Sequence, residues 1–265
     1  ADGWILSCVR TACTDLELEV EDIGGYVLPP VVTLPSRIHS IDALASDVLR
    51  VVLRLPPSSE FDFIPGQYID VIGPGAVRRS YSLASASVAE KRLELHIRAV
   101  EAGAMSQYWF EQAKVNDLLR LNGPMGTFFL RDVSGIDLVF LATGTGLAPV
   151  KAMLESMRDF SAEQQPRSVT VLWGGRTLQD LYFDVAGISG RFNFMPVLSR
   201  ADAKWTGVRG HVQQALLAVL PDLSQAAVYA CGSDAMIRDA QTILTAAGLP
   251  SNRFYSDAFV CSATI

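Results

Sequence analysis

A near-continuous apolar run at residues 136–142 ends in Thr143-Gly144-Thr145-Gly146. It passes directly into a helix-like stretch at 148–160, with Pro149 close to the first helical position. A strand that reads as an unbroken apolar run is buried on both faces and needs helices on each side of its sheet. The same rhythm continues with strand-like runs at 169–173, 192–198 and 226–230 and helix-like segments at 212–220 and 234–247. Strands alternating with helices predict a parallel sheet covered on both faces. In such sheets ligands bind outside the carboxyl ends of the strands.

The preceding part of the chain has another rhythm. Short strand-like runs at 36–41, 48–55, 68–72, 79–83, 93–100 and 118–121 are punctuated by Pro56-Pro57, Pro65-Gly66, Gly73-Pro74-Gly75 and Gly123-Pro124. Many short strands at close spacing predict an antiparallel barrel or sandwich. One helical segment interrupts them at 104–113, where Met105, Tyr108, Trp109 and Ala113 share a face. Before these strands, residues 16–21 alternate strictly as an exposed strand would, and Gly24, Gly25 and Pro29-Pro30 read as a linker. A length of 265 residues suits two domains of ordinary size. The expected division is therefore 1–32 as a preceding remnant and linker, 33–133 as the antiparallel unit and 134–265 as the α/β unit.

Charge and composition remove several classes of function. The 22 basic and 28 acidic residues give a net charge of -6 and form no basic stripe, which argues against a nucleic-acid partner. No apolar run nears the roughly 18–20 residues of a membrane span, and the N-terminus lacks the layout of a signal peptide. Four cysteines are too few for a disulfide scaffold. The expectation is a folded cytoplasmic protein with no membrane association.

Two segments carry chemistry. At 143–146 the glycines let backbone amides approach a phosphate, and the following helix N-terminus favours its charge. The dinucleotide fingerprint is incomplete, because Pro149 stands where a third glycine would be, and a plain tight turn is the competing explanation. In Arg78-Arg79-Ser80-Tyr81-Ser82-Leu83 an arginine, a tyrosine and a serine alternate, which would set them on one strand face. Arginine pairs bidentately with phosphate and tyrosine offers a flat surface. That combination suits a large flat cofactor bearing a pyrophosphate; a solvated edge strand is the alternative.

Arg79-x-Tyr81-Ser82, Thr143-Gly144-Thr145-Gly146-x-Ala148-Pro149, Cys231-Gly232 after a strand, and Phe259 near the C-terminus occur in this order. With them, residues 33–261 resemble the ferredoxin–NADP reductase superfamily of flavin-dependent electron-transfer reductases. The stretches at 65–70, 95–98, 105–110 and 123–129 are similar to the reductases of 3,6-dideoxyhexose biosynthesis, and much of the pattern is shared with reductases of ring-hydroxylating oxygenases. The resemblance implies a six-stranded antiparallel flavin barrel followed by a nucleotide-binding α/β domain. It also implies FAD as cofactor and a nicotinamide nucleotide as hydride donor.

The same resemblance implies roles for individual residues. Arg79 would bind the flavin pyrophosphate, Tyr81 would lie along the isoalloxazine, and Ser82 would bond its N5 edge beside Leu83. His96, Ile97 and Arg98 would offer strand backbone to the flavin's ribityl and phosphate region. Gly103, Met105 and Ser106 would hold the second phosphate. Thr143, Gly144, Thr145 and Gly146 would face the nucleotide pyrophosphate, with Arg176 reaching the nucleotide. Cys231 and Gly232 would stand near the nicotinamide, and Phe259 would cover the flavin face. Ser199-Arg200 argues for NADPH; Asp202 and the segment at 205–212 argue for NADH, which is the expected donor. A flavin-binding sensor or regulatory subunit without turnover is the alternative class.

The opening Gly3-Trp4-x-Leu6-Ser7-Cys8, with Thr14-Asp15-Leu16, is similar to the tail of a plant-type [2Fe–2S] ferredoxin domain. Cys8 would there be the fourth cluster ligand. Cys8 and Cys13 lie at C-x4-C spacing, but Leu16 stands where the next cysteine would be, so no cluster or other metal site is expected in this chain. Cys8 reads as an orphan ligand. The expected electron acceptor is an iron–sulfur centre, in a ferredoxin domain of a longer form and in a dehydrase or oxygenase component.

Overall fold

The computed structural model describes residues 11, 13–15, 23, 25–188 and 190–259. Cys8, the alternating stretch at 16–21 and Cys261 lie outside the described residues. Among the described residues twelve strands form two sheets of six. The first sheet contains β1 (Val32–Ala45), β2 (Val48–Arg54), β3 (Tyr68–Ile72), β4 (Arg78–Ser82), β5 (Arg92–Arg98) and β6 (Leu118–Met125), in the order β4-β3-β6-β1-β2-β5. Every pairing in it is antiparallel. Its two edge strands meet where Leu83 bridges to Leu95 and the Ala84 N–H donates to the Glu94 carbonyl at 2.8 Å.

Period-two alternation fills this sheet's interior with Ile38, Val51, Leu53, Ile69, Val71, Leu93, Leu95 and Leu121. The expected helix at 104–113 is split. A single helical turn, α1 (Ala104–Gln107), opens into a wide turn over Tyr108–Gln112, where the Ala113 N–H reaches back five residues to the Tyr108 carbonyl. The wider turn carries both Tyr108 and Trp109 into the core.

The second sheet contains β7 (Asp137–Thr143), β8 (Ser168–Gly175), β9 (Asn193–Leu198), β10 (Val208–Arg209), β11 (Ala226–Ser233) and β12 (Phe254–Phe259). All are parallel, in the order β10-β9-β8-β7-β11-β12. α2 (Leu147–Ser156), α3 (Val212–Val219) and α4 (Asp234–Ala246) cover it. Leu138, Phe140 and Ala142 of β7 face α2, while Val139 and Leu141 face α3 and α4. The core on the α2 side runs on into the first sheet through Val48 and Phe128, so one apolar cluster spans both units. β10 and β12 are the strands absent from the sequence reading. β10 has two residues, and β12, Phe-Tyr-Ser-Asp-Ala-Phe, is a half-exposed edge strand whose polar residues break any apolar run. No helix among the described residues is long and apolar enough to cross a membrane.

Candidate functional site

The strand order reverses at β7, with β8 on one side and β11 on the other, and a crevice opens there at the carboxyl ends of the strands. The resulting cleft of about 670 Å³ is lined by Arg98 of the first sheet, by Thr143, Gly144, Thr145, Arg176, Ser199 and Gly232 of the second unit, and by Phe259 of β12. Gly144 has φ of +54°, a conformation that favours glycine, and a Cβ there would stand 3.1 Å from the Arg98 guanidinium. Its carbonyl accepts from Trp173 Nε1 at 3.0 Å. α2 starts without a side-chain cap, so the amides of its first turn are not met by any capping side chain. Gly146 does a different job. It is buried, and a Cβ on it would fall on the Cys231 carbonyl. It lets the turn close against β11, much as Gly232 does against Thr143.

Arg98 stands between the two sheets. Its guanidinium lies 3.3 Å from Asp47 and 3.8 Å from Asp180. Its buried Nε and Nη2 nevertheless make no hydrogen bond among the described residues. Its Nη1 end faces the Gly144 turn, and a guanidinium beside a glycine turn fits a nucleotide diphosphate. Arg176 is exposed, 3.9 Å from Asp180, whose carboxylate also accepts from the Arg176 and Thr177 amides.

The first sheet presents the expected trio on two faces rather than one. Arg79 pairs across to Val71 and Tyr81 to Ile69, while Ser82 has the opposite parity and is buried. Tyr81 is held by a hydrogen bond from Trp109 Nε1 at 2.9 Å, and burial raises its phenol to about 12 despite that bond and nearby Arg79. Arg79 is exposed and spends one donor on the Arg78 carbonyl at 2.8 Å. The Ser85 hydroxyl, buried beyond β4, has no partner among the described residues. An exposed cation, a fixed aromatic ring and an unmet hydroxyl on one segment fit a flavin nucleotide.

Ser82 meets a residue the sequence reading missed. Asp257 of β12 lies close enough for Ser82 to favour its charged form, and Asp257 pairs in register with Cys231 of β11. Burial pushes the Asp257 carboxyl up, against the opposing effect of Ser82. Burial, with Asp257 beside it, also holds Cys231 well above the usual thiol range, so it is a neutral thiol. Asp257 sits two residues before Phe259, and that spacing was the available signal; β12 was not recognised as a strand.

Other expected residues divide between backbone and side-chain use. Leu83, Ile97 and Met105 have their side chains in the core, which leaves only their main chain to meet a ligand. Gly103 turns the chain, its N–H donating to the Val100 carbonyl, and the Ser106 hydroxyl accepts from the Val100 N–H at 2.8 Å. The His96 side chain is buried against Tyr182 and Glu94.

The pattern for an oxidoreductase FAD-binding domain matches residues 35–130, and that for an oxidoreductase NAD-binding domain matches 140–242. The chain belongs to the ferredoxin–NADP reductase family and is an NAD(P)H-dependent flavin reductase. It is 41% identical over 99% of its length to the CDP-6-deoxy-L-threo-D-glycero-4-hexulose-3-dehydrase reductase of Yersinia pestis, covering 79% of that protein. It is 32% identical over 97% of its length to the xylene/toluene monooxygenase electron transfer component of Pseudomonas putida, covering 74% of it. Among solved structures it is similar to the cytochrome P450 reductase of Amycolatopsis, with a TM-score of 0.79, 27% identity, and coverage of 90% of this chain and 73% of that one.

Proposed function

We propose that this chain accepts a hydride from NADH at its FAD and delivers electrons singly to an iron–sulfur centre serving a dehydrase that acts on a CDP-linked 6-deoxyhexulose. The observation that carries the reading is the placing of Asp257 opposite Cys231 and near Ser82, beside a cleft that Gly232 and Phe259 line. The choice of dehydrase rests on the 41% identity to the Yersinia pestis reductase. When bound, the flavin supplies the chemistry that couples two-electron donation to one-electron delivery.

The protein's part is binding, orientation and exclusion of water. In this reading Arg79 pairs with the FAD pyrophosphate, the amides at 103–106 take its second phosphate, and Tyr81 lies along the ring. Gly144, Thr145 and Arg98 take the nucleotide diphosphate, and Arg176 reaches its adenosine half. Cys231 borders the nicotinamide as a neutral thiol, and Phe259 covers the flavin face until the nicotinamide displaces it. Asp257 holds the Ser82 hydroxyl at the flavin edge. NADH is favoured because Asp202, three residues past the Ser199 that lines the cleft, would oppose a 2′-phosphate.

Anaerobic titration of the purified flavoprotein with each nucleotide tests this reading. NADH is expected to bleach the flavin absorbance at lower concentration than NADPH and to sustain ferricyanide reduction. A higher kcat/KM for NADPH would overturn the nucleotide choice. Stoichiometric bleaching without turnover would overturn the enzyme reading in favour of a sensor.

A further inference from the structure

A chain of polar side chains crosses between the two sheets, apart from the residues that line the cleft. Lys151 of α2 is almost fully buried and donates to the Ala84 carbonyl, two residues past Ser82, at 2.8 Å. Its Nζ also lies 2.8 Å from Glu155 and 3.3 Å from Glu94 of β5. Glu94 accepts from Arg50 Nε and meets His96 Nε2, each at 3.0 Å. On its other side His96 Nδ1 lies 3.1 Å from the Tyr182 hydroxyl. The Tyr182 ring stands edge-on to Trp173 with centroids 5.1 Å apart, and Trp173 Nε1 donates to the Gly144 carbonyl. The path begins at the flavin segment and ends in the glycine turn of the nucleotide cleft.

The chemistry of each member fixes its donor and acceptor roles. Burial works against the Glu94 carboxylate, but His96, Lys151 and Arg50 outweigh it and bring its pKa down to about 2. Burial also lowers His96, so its ring is neutral at ordinary pH. A carboxylate only accepts, so His96 Nε2 carries the proton and Nδ1 accepts from the Tyr182 hydroxyl. Each bond therefore has one workable direction, and the ends cannot shift independently without leaving a buried polar group unmet.

We propose that Lys151, Glu94, His96 and Tyr182 are positioning residues that hold the Gly144 turn at a set distance from the flavin segment. Transfer between the two sites is steep in distance, so a small slip costs rate while leaving the contacts that bind each nucleotide. The proposal rests on the flavin and nucleotide sites assigned above.

The test uses the intact flavoprotein and two conservative variants. Tyr182→Phe removes one hydroxyl, and Lys151→Met keeps the stem without the charge. In stopped-flow reduction at saturating NADH, each is expected to slow flavin reduction about tenfold. Flavin content and the NADH Kd should stay within twofold of wild type. Hydrogen exchange of the amides at 143–147 should rise in both, a readout independent of turnover. The double variant should be no slower than the slower single, because the groups act in series. A Tyr182→Phe rate within twofold of wild type, a rate loss matched by an equal loss in NADH Kd, or additive effects in the double variant would each overturn it. Should neither nucleotide reduce the wild-type flavin, the site assignment itself fails, and the amide-exchange change in Tyr182→Phe still decides whether the chain holds the turn.

Discussion

The edge of the first sheet at β4 and the turn after β7 meet their ligands in different ways. At β4 the groups on offer are side chains: an exposed guanidinium, a ring fixed by Trp109, and a serine turned to the other face. After β7 they are main-chain amides, and glycine is there to remove side chains that would obstruct them. A side-chain site loses contacts one at a time when mutated. A backbone site depends on the path of the chain, and one added methyl group moves all of it.

The two glycines of the turn give the strongest test of that difference. Gly146→Ala places a methyl on the Cys231 carbonyl, a rigid backbone atom. It should cost about 2–3 kcal/mol, as overpacking does, and lower the unfolding midpoint by roughly 5–10 °C. NADH-driven flavin reduction should be nearly lost while flavin stays bound. Gly144→Ala meets only the far end of Arg98, so its cost is the positive φ, about 1 kcal/mol. Calorimetry and flavin reduction of both variants check this. Equal damage from the two would mean that backbone path is not what the turn protects.

At the side-chain site the expected loss is local. Arg79→Ala removes a charge-assisted phosphate contact worth about 1.5–3 kcal/mol, so FAD affinity should fall roughly tenfold to a hundredfold. The unfolding midpoint of the apoprotein should barely move, because the guanidinium is exposed and its bond among the described residues is to the neighbouring Arg78 carbonyl. Flavin release during dialysis, with mass spectrometry of the released species, measures it. Unchanged retention, or FMN in place of FAD, would remove Arg79 from the pyrophosphate.

This contrast also explains what the sequence made legible. Both sheets were readable, because short strand-like runs punctuated by glycine and proline in one half and apolar strands alternating with helices in the other are local patterns. The glycine turn and Arg79-x-Tyr81-Ser82 were readable because their residues are adjacent in the chain. The reading of one shared face failed at Ser82, since a strand sends neighbouring residues to opposite sides. Asp257 was missed because its meaning comes from pairing with Cys231, 26 residues away in sequence. The path from Lys151 to Tyr182 was invisible for the same reason: its links from Lys151 to Ala84 and from His96 to Tyr182 join residues 67 and 86 positions apart.

The smallest expected effect sets the two regions side by side at one backbone conformation. Ala102, before the 103–106 turn, has φ of +56°, nearly that of Gly144 at +54°. One region fills this left-handed position with glycine and the other with alanine. Ala102 is exposed, so its methyl group has little packing to lose. An L-residue in this conformation costs about 1–2 kcal/mol, and glycine gives back about 0.5–1 kcal/mol through the entropy of the unfolded chain. Ala102→Gly should therefore stabilise the protein by about 0.5–1 kcal/mol, a rise of roughly 1–3 °C in the unfolding midpoint. FAD affinity should not change, because the amides at 103–106 keep their path. A lower midpoint would show that Ala102 contributes contacts that outweigh its strain. A change in FAD affinity would show that the turn's path is set by Ala102 itself, making this phosphate site as dependent on backbone as the one after β7.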